Sequence, residues 1–181
     1  MNSSEYSIIS LSDLLEQMGE GIVSKMLSTF KTIAESDTES FLREKAIEME
    51  KRDVSRTYIG ITSDGITVLG YITISIKCLR VPSENLLSGK TLKHMNIDGE
   101  TGIAQSYLIG QLSRSKASAR GFGEALMDAA FEHLGEAKRK VGCRLVRLDC
   151  HEELVPYYQK HGFKLVSANE DGSLNQMIRA I

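Results

Sequence analysis

The sequence predicts an α+β fold of three layers: a twisted, mixed but mostly antiparallel sheet of about six to seven strands, with helices on both faces. Three observations carry this. Ile66, Val68, Ile72, Ile74 and Ile76 alternate with Thr67, Tyr71, Thr73, Ser75 and Lys77, which reads as one arm of a long antiparallel hairpin with one buried face. Between Tyr107 and Ala137 an apolar strand-like run passes through a glycine-bearing loop into a helical pattern, and Cys143–Cys150 (CRLVRLDC) follows as another strand. That succession is a β-α-β unit, whose crossover is expected to be right-handed. The chain has 181 residues and no internal repeat, low-complexity tract or linker, so one domain over 1–181 is expected.

The elements follow in order. Tyr6–Ile9 reads as a short strand. Ser10, with Asp13 three residues on, reads as a helix start, with Leu11, Leu14, Leu15 and Met18 as the apolar stripe. After Gly19 and Gly21 a second helix is expected over Ile22–Phe30, with Val23, Met26, Leu27 and Phe30 inward. Ser36 and Glu39 have the spacing of a capping box ahead of a third helix over Asp37–Lys51. Thr57–Thr62 is β-prone and Ser63-Asp64-Gly65 is a turn. Val81–Glu100 is polar and turn-rich and reads as a loop with one helical turn, placed where loops line substrate sites. Glu152–His161 is a short helix ended by Gly162. Phe163–Ser167 and Leu174–Ile181 are the last strands, with Asp171-Gly172 as their turn, and the last strand can exchange between subunits of a homodimer.

In the β-α-β segment, Tyr107, Leu108, Ile109 and Leu112 form the strand. Phe122, Leu126, Ala130, Leu134, Ala137 and Val141 then fall every three or four residues, on one helix face. Between them lies Arg120-Gly121-Phe122-Gly123. Strand, glycine loop and helix start together expose unpaired backbone N–H groups to an anion, and glycine lets the backbone approach without a Cβ in the way. A phosphate-bearing ligand at the start of this helix is therefore expected.

Composition narrows the classes. A net charge of -2 argues against a general nucleic-acid binder. No apolar run reaches membrane-spanning length, and the first ten residues carry no secretory pattern. Cys78, Cys143 and Cys150 are odd in number and lack CxxC spacing, which suits a reducing cytoplasm. His94, His133, His151 and His161 are scattered, so no metal site is expected.

With these motifs on the page, the chain resembles the GCN5-related N-acetyltransferase superfamily. Ser118-Ala119-Arg120-Gly121-Phe122-Gly123 stands where that family has Gln/Arg-x-x-Gly-x-Gly/Ala. Pro156-Tyr157-Tyr158-Gln159-Lys160-His161-Gly162-Phe163 resembles its FYxKxGF element. The resemblance implies acetyl-CoA bound across the splayed strands of the β-α-β unit, as cosubstrate and with no metal. It places the pyrophosphate on the backbone of Ser118, Ala119, Arg120, Gly121, Phe122 and Gly123. It pairs the pantetheine arm with Gly110, Gln111, Leu112 and Ser113, and puts His151 near a further pantetheine contact.

Tyr158 matches the position of the family's general acid. A phenol of pKa about 10 can reprotonate a thiolate whose conjugate acid is about 8.5. The competing reading is a packed aromatic with a satisfied hydroxyl. Tyr157 is the one expected to be buried. A backbone N–H near Leu112 is the expected oxyanion donor. No base is visible on the strand before the loop. Glu100 stands only at its beginning; His151, Glu152 and Glu153 are alternatives by position, and a solvent-facing His151 is the simpler reading. Ser118 replaces the motif's first residue, so one phosphate contact is either weaker or made by a hydroxyl, with Arg114, Lys116 or Arg120 compensating by charge. Cys150 reads as a buried thiol rather than a nucleophile.

Arg114, Lys116, Arg120, Lys138, Arg139, Lys140, Arg144 and Arg147 are expected as a basic fringe to the cofactor segment, contacting CoA phosphates or facing solvent. The leading expectation is transfer of acetyl to a primary amine of a small molecule, peptide or protein. The alternatives are a catalytically degenerate binding or regulatory module, and a toxin-like aminoacyl-tRNA acetyltransferase, the one nucleic-acid partner left open. No set of stacking aromatics accompanies the basic residues.

Overall fold

The computed structural model describes residues 6–33, 37–168 and 172–181. The Ser36 half of the expected capping box and the Asp171 half of the last turn lie outside the described residues. The elements are β1 (Tyr6–Ser10), α1 (Leu11–Met18), α2 (Glu20–Ser28), α3 (Asp37–Ser40), a π-type turn (Phe41–Lys45), α4 (Ala46–Lys51), β2 (Arg56–Thr62) and β3 (Val68–Arg80). There follow α5 (Gly89–His94), β4 (Ile103–Arg114), α6 (Phe122–Val141), β5 (Leu145–Cys150), a 3-10 turn (Glu152–Leu154), α7 (Val155–Lys160), β6 (Lys164–Ala168) and β7 (Asn175–Ala180). Hydrogen bonding orders the strands β1-β2-β3-β4-β5-β7-β6 in a seven-stranded sheet. The β4–β5 pairing is parallel, while β1–β2, β2–β3, β5–β7 and β6–β7 are antiparallel. The expected mixed sheet and its β-α-β unit are both present. β7 is paired on both sides within its own chain, so it is not a free edge. Among the described residues no helix is long and apolar enough to cross a membrane.

The chain divides into two compact units. The first takes Met1–Ser75 with Gly110–His133. Its core gathers Leu11 and Leu14 of α1, Val23 and Leu27 of α2, Leu42, Ala46, and Ile59, Ile61, Val68 and Tyr71 of the sheet. The Ser10 hydroxyl caps α1 by accepting the Asp13 N–H at 3.1 Å, which sets the phase of that apolar stripe. Residues 37–51 form the expected third helix, but a five-residue bond from the Ala46 N–H to the Phe41 carbonyl widens it midway. Glu39 accepts the Thr32 N–H at 2.9 Å and pairs with Arg43 at 2.7 Å.

β3 corrects the expectation of one buried face. Val68 through Thr73 are all buried, odd and even positions alike. Tyr71 packs edge-on to Phe30 and parallel to Phe41, whereas its neighbour Gly70 lies under Leu126 of α6. The two faces of the strand are covered by different helices, and the apolar stripe gives out at its ends. Ile66 and Ile76 are 71% and 69% exposed.

The second unit takes Ile76–Ile109 with Leu134–Ile181. Its core holds Leu79, Val81, Met95, Ile97, Ala104, Leu145, Val166 and Ile178. The turn-rich segment before β4 does carry its helical turn, α5, capped by Ser88 at 3.2 Å from the Thr91 N–H. Met95 and Ile97 beyond it are core, so much of that segment is a cover for the sheet rather than an open loop. β5 starts at Leu145 rather than Cys143, because Cys143 sits at φ 67, a left-handed turn that breaks the strand.

Glu50 at the end of α4 is 4% exposed and accepts the Thr57 N–H at 2.8 Å, with Arg56 at 3.3 Å. Burial raises its carboxyl above the ordinary 4.5, against the Thr57 hydrogen bond and the Arg56 charge. A carboxyl raised in the folded state binds its proton more tightly there than in the unfolded chain. Its contribution to stability is therefore full below about pH 4.5 and is lost as the pH rises through the folded value. Glu50→Gln removes that loss. The stability of the variant relative to the native chain, from urea unfolding, should rise between pH 4.5 and pH 7.

Candidate active site

The loop between β4 and α6 is built by short-range hydrogen bonds. The Ser115 N–H donates to the Leu69 carbonyl at 2.7 Å, and the Lys116 N–H to Lys31 at 3.3 Å. Ser118 donates both its N–H and its hydroxyl to the Ser115 carbonyl, at 3.1 and 2.7 Å. The Phe122 N–H donates to Ala119, and the Glu124 N–H to Gly121. Among the described residues the amides of Ala119, Arg120, Gly121 and Gly123 have no protein partner. Ala119, Arg120 and Gly121 are exposed. These groups open a helix of twenty residues, whose aligned peptide dipoles favour an anion at this end. Gly121 sits at φ 90, and a Cβ added there meets nothing within 4 Å. The demand for glycine is thus purely conformational.

Of the expected phosphate-binding set, Ser118 and Phe122 shape the loop. The hydrogens of Ser118 both turn inward. The Phe122 ring is 1% exposed and stands edge-on to Tyr6, with centroids 5.1 Å apart. Beneath it lies a feature that sequence reasoning missed. Gly60 of β2 and Gly70 of β3 are cross-strand partners. A Cβ on Gly60 would stand 2.4 Å from the Phe122 ring, and one on Gly70 2.7 Å from the Ser113 carbonyl and 3.1 Å from Leu126. The paired glycines leave a hollow in the sheet that seats the first turn of α6.

The parallel ladder of β4 with β5 covers Tyr107↔Val146 and Leu108↔Arg147. β4 runs on to Arg114 beyond it. Gly110 is exposed, and Gln111, Leu112 and Ser113 are half-buried. The Ser113 hydroxyl accepts from Thr38 at 3.0 Å, and the Tyr71 hydroxyl donates to the Thr38 carbonyl at 2.6 Å.

In the second unit, Tyr158 of α7 is 7% exposed. Its ring lies edge-on to Tyr157 and Phe163, at 5.1 and 5.9 Å. Tyr157 is only half-buried, so the expected order of burial is reversed. The cause is the helix phase: Val155 and Tyr158, three apart, share the inner face. The Tyr158 hydroxyl makes no hydrogen bond to the protein among the described residues. Burial pushes its pKa well above 10, with Cys150 and Tyr157 adding to the rise. Cys150 is 4% exposed, and burial, with Asp149, Glu152 and Glu153, pushes its thiol up to about 11. It is a protonated, buried thiol at neutral pH.

His151, Glu152, Glu153 and Glu100 are exposed. The His151 side chain does not cap the turn it precedes, and Glu152 accepts from Asn175 at 2.6 Å. The basic fringe needs one correction. Arg147 is 5% exposed and held by the Cys78 carbonyl and Asp149, because the strand alternation turns it into the sheet. Lys116, Arg120, Lys138, Arg139, Lys140 and Arg144 are exposed. Among the described residues no cluster of His, Cys, Asp or Glu could hold a metal.

Neither a family model nor a curated protein matches the sequence. Solved structures do. AtaT complexed with acetyl-methionyl-tRNAfMet superposes with a TM-score of 0.75 at 19% identity, covering 97% of this chain and 95% of that one. A tyrosine-to-phenylalanine mutant of KacT gives 0.74 at 21% identity, covering 95% and 94%. A mutant AtaT toxin bound to acetyl-CoA and to the C-terminus of the antitoxin AtaR gives 0.72 at 17% identity, covering 97% and 93%. This chain has the GCN5-related N-acetyltransferase fold. The two stretches that resemble that superfamily's motifs lie in the β4–α6 loop and along α7.

Gly121→Ala tests the loop without a steric clash. Holding alanine at this φ should cost about 1–2 kcal/mol in urea unfolding. If the loop relaxes instead, stability is kept and hydrogen exchange of the amides over residues 118–123 changes.

Proposed function

We propose that this chain is an acetyl-CoA-dependent N-acetyltransferase whose acceptor is the α-amine of an aminoacyl-tRNA. One observation carries the first half: the partnerless amides of Arg120, Gly121 and Gly123 at the mouth of α6, fixed by a left-handed glycine. They suit a diphosphate. Gly110, Gln111, Leu112 and Ser113 offer β4 backbone, beyond the β5 ladder, to a pantetheine arm. Ala119, Ser118 and Phe122 complete the loop, and His151 is kept as an outer contact only.

In the reaction, the acceptor's lone pair attacks the thioester carbonyl. The C–N bond forms, the C–S bond breaks, and the surplus proton on nitrogen passes to water. The departing thiolate takes the hydroxyl proton of Tyr158, which solvent restores. A phenol raised by burial is a weaker acid than one in water. The same exclusion of water makes a thiolate released there a stronger base than one in solution.

The structural neighbours support the second half by what they hold: acetyl-methionyl-tRNAfMet in one, acetyl-CoA and an antitoxin segment in another. They favour this acceptor over the small-molecule, peptide or protein amine expected first. The missing stacking aromatics are no obstacle, since paired RNA is held by phosphate and 2′-hydroxyl contacts. Lys116 and Arg120, and separately Lys138, Arg139, Lys140 and Arg144, are exposed cations for such contacts. An antitoxin polypeptide is the partner implied, and the cytoplasm the site of action.

Calorimetry with acetyl-CoA should give a Kd of about tens of micromolar or tighter, and incubation with methionyl-tRNA should yield acetylmethionyl-tRNA. Tyr158→Phe should lower kcat roughly 10²–10⁴-fold with cofactor affinity nearly unchanged. Equal turnover in both proteins would remove the acid role. Cofactor binding without transfer to any amine would leave a binding module, and no cofactor binding would overturn the proposal.

A further inference from the structure

Charge is divided unevenly between the two units. The residues of the first carry 10 Lys and Arg against 15 Asp and Glu, and those of the second carry 12 against 9, so the second is the cationic one. Within the second unit the charges separate again along the strands. Asp149, Glu152 and Glu153 stand where β5 ends. The cations gather where it begins. Lys138, Arg139 and Lys140 close α6, and Arg144 precedes Leu145. Lys164 opens β6 opposite Ile178, near the end of β7 that pairs with Leu145.

Direct bonds join these cations into one surface. Arg144 Nη1 donates to the His94 carbonyl at 3.3 Å, which brings in α5 with Lys90 and Lys93. Lys164 Nζ donates to Thr91 Oγ1 of the same helix, also at 3.3 Å. The Ile181 N–H donates to the Arg144 carbonyl at 2.9 Å, and the Ile181 carbonyl accepts from Lys138. Gly142 at φ 81 and Cys143 at φ 67 turn the chain sharply between α6 and Arg144. The Cys143 thiol holds that turn by donating to the Gln105 carbonyl at 3.4 Å. All of these Lys and Arg side chains are exposed, and among the described residues none pairs with a carboxylate. The acids nearest in sequence are Glu136, Asp98 and Glu100. Asp98 is turned into its own loop, where it accepts the Thr101 and Glu100 N–H groups at 2.7 and 3.1 Å.

Helix ends explain part of this pattern. A cation at a helix C-terminus complements the dipole, which covers Lys93 and the end of α6. Lys90 is different. It lies in the first turn of α5, two residues past the Ser88 cap, and Lys164 reaches over the same end. Cations there oppose the dipole, so folding alone does not account for Lys90 and Lys164.

We propose that this end of the second unit is the surface on which the phosphate backbone of the RNA lies, with Lys90 and Lys164 among its contacts. The inference rests on the aminoacyl-tRNA reading. It goes beyond it by placing the body of the RNA on α5, the start of β6 and the end of α6. A single phosphate needs one or two cations. Exposed cations spread over three elements match a polyanion, which they hold without reading its sequence.

Binding of uncharged tRNA, followed by fluorescence anisotropy without acetyl-CoA, tests the surface apart from transfer. Plotted as log affinity against log salt, the slope should be shallower by about 2 in Lys90→Gln/Lys164→Gln, since each lost phosphate contact removes about 0.9. The exposed first-unit pair Lys25→Gln/Lys45→Gln should leave the slope unchanged. Equal slopes in the native chain and the Lys90/Lys164 variant, or an equal change in the control pair, would overturn the proposal even if methionyl-tRNA is acetylated. A selective change would sustain it even if no amine is acetylated. Competition by poly-L-glutamate as strong as that by duplex RNA of equal charge would mark a surface for an acidic polypeptide, and would overturn it too. In the active enzyme, Lys90→Gln/Lys164→Gln should raise the KM for methionyl-tRNA roughly tenfold with kcat nearly unchanged. An unchanged KM, or a loss in kcat alone, would count against it in the same way.

Discussion

The contact on which the first unit depends is the close approach of α6 to the sheet at the Gly60–Gly70 pair. Helices and sheets usually keep a side chain's thickness between them. Here two facing residues have no side chain, and Phe122 and Leu126 fill the hollow. The Phe122 ring is also the first residue of α6. Packing of an apolar ring therefore fixes where the helix begins and where its first amides point. A buried aromatic contributes about 1.5–3 kcal/mol, so the aim of a polar site is held by an apolar contact.

Other bonds prevent the loop from drifting. Thr32 bridges to Ser115, and the Lys116 N–H reaches the Lys31 carbonyl. Thr38 joins the Tyr71 hydroxyl to the Ser113 hydroxyl, and so ties the helix over residues 37–51 to the last turn of β4. Arg43, held by Glu39 and the Phe30 carbonyl, stiffens the same region. The segment with least motif content is thus bonded directly to the segment with most. That arrangement lets the helix over residues 37–51 and the strand that leads into the β4–α6 loop share one rigid frame.

What was legible in the sequence depended on the range of the interaction. The start of α6, the cap of α1 and the left-handed Gly162 are local consequences of local residues, and each lies where the pattern placed it. The two-sided burial of β3 was hidden because Thr73 read as solvent-facing, yet it is 2% exposed. Threonine is β-branched and tolerates a packed face, so alternation of Ile with Thr does not separate one covered face from two. The Gly60–Gly70 pairing and the Asp149–Gln176 pairing depend on strand register, which no single segment encodes. The phase of Tyr157 and Tyr158 depends on which side of a one-turn helix meets the core, and adjacent tyrosines look alike until that is known.

Burial acts in opposite directions at the two chemical features of the second unit. At Tyr158 it removes water from a neutral phenol, which keeps the proton in place and leaves a hydroxyl with no competing bond. At Arg147 and Asp149 it encloses charges, and only their mutual hydrogen bonds make this tolerable. An apolar pair of the same shape would serve the core at least as well, since enclosed ion pairs seldom out-stabilise hydrophobic replacements. Stability alone therefore does not account for Arg147, Asp149 and Gln176 beside Leu145 and Ile178.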